Sequence, residues 1–179
     1  MGTPGTYFCA VANIYMFQHF HLLTLTHRES NLRDIGRLVS VFDPDGDTAV
    51  PLRDLQHRQG IDELFYLATC NRITFFFTTN RVVDDDFKVA MLKEAAGMEE
   101  LLRAMKHYQG ESAINHLMEV GASIDSLVVG ERQILGQIKE AYEKCRGWGL
   151  TGDDLRVIFD RIILAGIGIY TLTSKDNTV

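Results

Sequence analysis

Leu64-Phe65-Tyr66-Leu67-Ala68-Thr69-Cys70-Asn71-Arg72-Ile73-Thr74-Phe75-Phe76-Phe77 is the stretch whose reading decides the fold. Two β-prone apolar runs flank a short polar break, which is the pattern of a hairpin. Asn71 and Arg72 are the residues left to turn the corner. Asn tolerates the positive φ of tight hairpin turns, although Asn-Arg is a weaker signal than Asn-Gly. On this reading Cys70 ends a strand, where its thiol can be reached. Arg72 stands two residues on, close enough in sequence to favour the thiolate.

Working outward, Phe20 to Thr26 forms a first strand, and Ser30 or Asn31 caps a helix carrying Leu32, Ile35, Leu38, Val39 and Phe42 at helical spacing. Asp43-Pro44-Asp45-Gly46-Asp47 stops that helix, and a polar connection with Pro51 and Gly60 leads to the second strand, at 62–70. The third strand spans 73–79. A helix over 87–96, a short helical turn at Leu101 and Leu102, and a fourth strand over 105–109 follow. The order strand, helix, strand, strand, helix, strand predicts an α+β fold, a ferredoxin-like βαββαβ antiparallel sheet sandwich with helices on one face, followed by additional helices. Those begin with a stripe of Ala113, Ile114, Leu117, Met118 and Gly121. A long helix over 131–146 carries Ile134, Leu135, Ile138, Ala141, Tyr142 and Cys145, and a final segment over 155–163 leaves 165–179 to trail off. Residues 1–19 show no clear period and are set aside as a leader, 20–150 form the main domain, and 151–179 begin a linker helix.

Composition narrows the classes. With 46% hydrophobic and 23% charged residues the chain can bury a real core, and a formal charge of −6 argues against binding nucleic acid through an overall basic surface. Three cysteines without CxxC spacing are no disulfide framework and point to a reducing, cytoplasmic setting. The apolar run over 7–20 is too short to span a bilayer, and the first basic residue is Arg28, so neither a membrane span nor a signal peptide is expected. No metal is expected, because Cys9, His19 and His21 lack an established ligand spacing. Gly166-Ile167-Gly168 resembles the start of a dinucleotide fingerprint but has no room for a βαβ unit after it.

Most free cysteines are small buried apolar residues, and Cys145, inside a helical apolar stripe, fits that description. Cys70 departs from it, being beside a turn with a cation nearby, and a thiolate attacks carbonyls readily. His116 lies off its helix's apolar stripe, and His27 follows a strand end as Cys70 does. Glu131 opens a helix, where the free amides and dipole stabilise a carboxylate, which is sufficient to explain it.

Thr69-Cys70-Asn71-Arg72, Gly110-Glu111-Ser112-Ala113 with His116-Leu117, and the long block from Ser126 through Gly130-Glu131-Arg132-Gln133-Ile134-Leu135-Gly136-Gln137 to Tyr142 together resemble the glutamyl-tRNA reductase family. Thr26-His27-Arg28-Glu29 matches its early histidine motif, and the likeness runs over 20–165, the family's N-terminal catalytic domain. The resemblance implies that Cys70 attacks the ester of glutamyl-tRNA(Glu) to leave a thioester. Hydride from NADPH then reduces it to glutamate-1-semialdehyde, toward 5-aminolevulinate and the tetrapyrroles. It implies catalytic roles for Cys70 and His116, and a glutamate site of Thr69, Arg72 and His27 supported by Ser126, Glu131 and Gln133. It further implies a homodimer at full length and glutamate-1-semialdehyde aminomutase as a channelling partner.

Three departures qualify the likeness. The family usually has Glu where this chain has Thr74, and often a proline after the histidine of its early motif. The NADPH-binding domain and dimerisation helices that follow in the family are missing, so this chain by itself is expected to acylate but not to reduce. The alternative is a non-catalytic module that binds glutamyl-tRNA or a partner chain.

Overall fold

The computed structural model describes residues 17–43, 46–91, 97–122 and 133–176, the side chains of Gln133 and of 165–176 excepted. Four strands, β1 (Phe20–Thr26), β2 (Glu63–Ala68), β3 (Arg72–Thr78) and β4 (Lys106–Gln109), form one sheet in the order β2-β3-β1-β4. Every neighbouring pair is antiparallel. Seven helices accompany it among the described residues: α1 (Leu32–Val41), α2 (Ala49–Gln59), α3 (Asp85–Met91), α4 (Glu99–Arg103), α5 (Glu111–Gly121), α6 (Gln133–Gly147) and α7 (Asp153–Asp176).

Helices cover both faces of the sheet, not the single face expected. All residues of β1 and β3 are buried, so the unbroken runs Leu22-Leu23 and Phe75-Phe76-Phe77 need apolar cover on each side. On one face Phe42, just past α1, lies with its ring 5.2 Å from Phe75, and Phe87 of α3 stacks on Phe77 at 5.8 Å. On the other, Phe159 of α7 sits 4.5 Å from Phe65 and stacks at the same distance on Tyr142 of α6. Helix α7 is pinned to the sheet by Glu63, whose carboxylate accepts the N–H groups of Asp154 and Leu155 at 3.1 and 2.9 Å. A carboxylate at a helix N-terminus also meets the positive end of its dipole. The helix continues to Asp176 where the sequence suggested a trailing tail.

The stretch read as a polar connection is α2. Pro51 falls in its first turn, where a missing N–H breaks no helical bond. Gly60, at φ 60°, adopts the left-handed conformation that ends it. Leu52 and Leu55 are its only buried leucines, so its apolar signal is thin.

Strand β2 is an edge, and the chain covers it. Leu64 N–H donates to the Leu150 carbonyl at 2.8 Å and Tyr66 N–H to Cys145 Sγ at 3.4 Å, which leaves little open ladder for another strand. Burial pushes the Cys145 thiol up to about 11, in keeping with a packing role.

Candidate active site

The hairpin corner falls one residue earlier than the sequence suggested. Thr69 N–H donates to the Arg72 carbonyl at 2.9 Å and Ala68 pairs with Ile73. Cys70 and Asn71 therefore form the turn, while Arg72 already belongs to β3. Cys70 stands in the corner itself, exposed, and not at a strand end. Thr69 braces the corner, its hydroxyl donating to Asn71 Oδ1 at 2.9 Å and accepting from Asn71 N–H at 3.4 Å. His27 ties the corner to β1, since its N–H donates to the Asn71 carbonyl at 3.0 Å. The His27 Nδ1 atom is buried and has no hydrogen-bond partner among the described residues.

Arg72 is 7% exposed. It pairs across the sheet with Thr26, as Thr74 does with Thr24, so strand alternation puts all four side chains on one face. Thr74 Oγ1 lies 2.8 Å from Thr24 Oγ1, and the latter also donates to the Ile73 carbonyl at 3.2 Å. The position where the family's usual Glu was expected thus holds half of a satisfied hydroxyl pair.

On that face, beside α5, lies a cavity of about 190 Å³ lined by Thr24, Thr26, Glu29, Lys106, Tyr108 and His116, together with Arg28 and Glu119. Glu29 is its best-held charge. It accepts from Thr26 N–H at 3.0 Å and from the Thr26 hydroxyl, and pairs with Lys106 Nζ at 2.6 Å. Burial on its own raises this carboxyl, yet the hydrogen bonds from Lys106 and Thr26, with the Lys106 charge, hold it down at about 2. His116 faces this cavity and not open solvent. Its ring stacks on Tyr108 at 4.3 Å with planes 9° apart, and Nδ1 lies 3.9 Å from Glu119 Oε2. With two cations and two carboxylates around it, the cavity suits a small zwitterionic group.

The fold thus gathers Thr69, Cys70, Arg72 and His27 at one end of the sheet, and His116 in a cavity that shares Thr26 with them. Cys70 and Arg72 do not line that cavity. Ser126 and Glu131 lie outside the described residues, and Gln133 opens α6 through its backbone. The sequence reading gave no role to Thr24, Lys106 or Tyr108. Thr24 and Thr26 did carry a signal: two hydroxyls at alternate positions of a largely apolar strand mark a face that is not all core.

Gly166-Ile167-Gly168 falls inside α7 and not between a strand and a helix, and the sheet has no parallel pair. The described residues therefore form no Rossmann-type βαβ unit. They also hold no group of three or more His, Cys, Asp or Glu that could bind a metal, and no described helix is long and apolar enough to cross a membrane.

Fold and site define an α/β domain that presents, among the described residues, one reachable thiol on a braced turn, next to a buried arginine and a charged cavity. The family model for the N-terminal domain of glutamyl-tRNAGlu reductase matches residues 23–173. The chain belongs to that family. It is 33% identical over 150 residues to a glutamyl-tRNA reductase of Syntrophobacter fumaroxidans, covering 81% of this chain and 31% of that one. It is 38% identical over 119 residues to that of Syntrophus aciditrophicus, covering 63% and 27%. The solved glutamyl-tRNA reductase from Methanopyrus kandleri shares the fold, with a TM-score of 0.65 at 21% identity, covering 86% of this chain and 35% of that one. The chain therefore spans about a third of the length of these relatives.

Proposed function

We propose that this domain carries the acyl-transfer half of glutamyl-tRNA reduction, with glutamyl-tRNA(Glu) as substrate and Cys70 as nucleophile. The observation that carries the reading is the exposed Cys70 on a corner braced by Thr69 and tied to β1 at His27. The Cys70 thiolate attacks the ester carbonyl. A sulfur–carbon bond forms, the bond from that carbon to the ribose oxygen breaks, and the ribose oxygen takes a proton. We assign that proton transfer to His116, an imidazole being able to hold and give up a proton near neutral pH. The Arg72 fork suits the side-chain carboxylate of the glutamyl group, because guanidinium binds carboxylate bidentately. His27, with a buried ring nitrogen facing no described partner, is available to a polar group of the substrate. Ser126, Glu131 and Gln133 are assigned to the support of the same pocket.

The product of this half-reaction is an enzyme thioester, more open to hydride than the ester it came from. In the reading proposed here NADPH supplies that hydride, and the step is not assigned to the described residues, which do not form a dinucleotide cradle. The strand order β2-β3-β1-β4, all antiparallel, supports naming the sheet ferredoxin-like, with 20–150 as the acyl-transfer unit and 151–179 as the start of a linker helix. Homodimerisation, a channelling contact with glutamate-1-semialdehyde aminomutase and a cytoplasmic location are parts of the same proposal.

Glutamyl-tRNA mixed with the chain should leave one glutamyl group on the peptide containing Cys70, found by mass spectrometry after rapid acid quenching, and slowly release free glutamate. An equal adduct on Cys70→Ser refutes the nucleophile. Tight glutamyl-tRNA binding without adduct or release, in a chain whose Cys70 reacts no faster than Cys145 with a thiol reagent, favours a binding module instead.

A further inference from the structure

The glutamyl group assigned above to Cys70 and Arg72 carries a further charge, its α-ammonium, and the hairpin has no anion for it. Residues 64–78 contain neither Asp nor Glu. Position 74, where a Glu was expected, holds Thr74, whose hydroxyl is already engaged 2.8 Å from that of Thr24.

A carboxylate reaches the same face from elsewhere in the chain. Glu29 lies three residues past the end of β1, and its Oε2 turns back to accept from the Thr26 N–H at 3.0 Å and from the Thr26 hydroxyl. The His27 N–H points at β3, to the Asn71 carbonyl, so that of Thr26 points away from it. Thr26 therefore has Arg72 on one side, as its partner in β3, and Glu29 on the other, just past the start of β4 at Lys106, opposite Thr24. Neighbouring strands stand about 4.8 Å apart. A short zwitterion laid over Thr26 thus meets the Arg72 side chain at one end and Glu29 at the other.

Glu29 is within reach of such a group. Its side chain is 14% exposed and lines the cavity of about 190 Å³. Its Oε1 meets Lys106 Nζ at 2.6 Å, on a side chain that is 53% exposed and regains water when it lets go, so release costs little. The cavity's second carboxylate, Glu119, is 57% exposed and lies beside His116, where water competes for it.

We propose that Glu29 is the specificity-determining residue for the α-ammonium of the glutamyl group, its Oε1 exchanging the Lys106 ammonium for that of the substrate while Arg72 holds the side-chain carboxylate. This rests on the reading of Cys70 and Arg72 given under the proposed function. Thr26, by holding Oε2, fixes the carboxylate for that exchange.

Small esters in place of tRNA separate this role from acylation. The isotope-labelled chain carrying Cys70→Ser is titrated at about pH 6, where an α-amino group is protonated. One ligand is L-glutamate α-methyl ester; the other is monomethyl glutarate, which keeps the ester and the carboxylate but lacks the ammonium. The Thr26 amide, a donor to Glu29, reports binding by NMR. The amino ester should half-saturate at a concentration about tenfold or more below that of the glutarate ester. Glu29→Gln should abolish that preference and leave the weaker ester's binding unchanged, whereas a residue that only held the loop would weaken both. Lys106→Gln, an exposed change that removes the competing cation, should widen the preference about twofold or more, and it decides the matter if Glu29→Gln does not fold. Equal half-saturation of the two esters, no saturable shift, a preference surviving in folded Glu29→Gln, or one that Lys106→Gln fails to widen would overturn the proposal. Acylation is read separately, from glutamyl-tRNA and the chain with Cys70 intact. A missing adduct beside an intact preference refutes the nucleophile, and a normal adduct beside equal binding of the esters refutes the role of Glu29 alone.

Discussion

Replacing Glu29 by Gln should lower stability at neutral pH by an amount that disappears in acid. The carboxylate accepts two hydrogen bonds from Thr26 and pairs with Lys106 at 2.6 Å, which holds its pKa at about 2 against 4.5 when unpaired. A shift of that size corresponds to about 3 kcal/mol of linkage at most. The Lys106 side chain is 53% exposed, however, so water screens its part. We expect about 1–2 kcal/mol. The direction follows from the depressed value: the unfolded chain takes up the proton first, so the contribution is complete above 4.5 and is lost as pH falls toward 2. Half of it should remain near pH ~3. Urea unfolding of wild type and Glu29→Gln, followed by circular dichroism at pH 7, 4 and 2.5, should show the two midpoints converging as the pH falls. A gap that is constant with pH, or absent at pH 7, would refute the assignment of a charged role to Glu29.

Other outcomes follow from the packing. In a Cys9→Ser background, a thiol reagent should modify Cys70 in the native protein and Cys145 only on unfolding, since one is exposed and the other buried. Equal native rates would contradict that placement. Gly121→Ala should cost about 1–3 kcal/mol, because its Cβ would stand 2.9 Å from Cγ2 of Ile162, a β-branched side chain buried in the core. Thermal melts that leave Tm unchanged would show that α5 and α7 can part at no cost. His21, buried and 3.1 Å from His107, has its pKa lowered to about 4, first by burial and then by that neighbour. Stability should therefore fall as pH drops from about 6.5 toward 4, where only the unfolded chain takes up the proton. Wild type and His21→Gln compared over that range check it, and parallel pH profiles would count against it.

Much of the strand framework was legible in the chain because its signals are local. Phe20–Thr26, the two runs flanking Thr69–Arg72, and the spacing of Ile35 and Leu38 announce their elements without help from distant residues. Helix α2 was hidden, because Pro51 and a polar sequence outweigh two buried leucines until the sheet is there to receive them. The turn also resisted reading. Whether Cys70 ends a strand or occupies the corner depends on the Thr69–Arg72 and His27–Asn71 hydrogen bonds, which a propensity scale cannot see.

The sequence by itself determined the antiparallel hairpin, the nomination of Cys70 over Cys145, and, through the blocks around Cys70, His116 and Gln133, the family. The tertiary structure decided which side chains share a face. Only the register of β1 against β3 sets Arg72 opposite Thr26 and Thr74 opposite Thr24. Only the packing of α5 on β4 turns His116 from its helix's polar side onto Tyr108 and into a cavity. The physical reason is range: propensity and periodicity act over a few residues, whereas burial, charge pairing and cavity shape arise between segments that the chain separates by dozens.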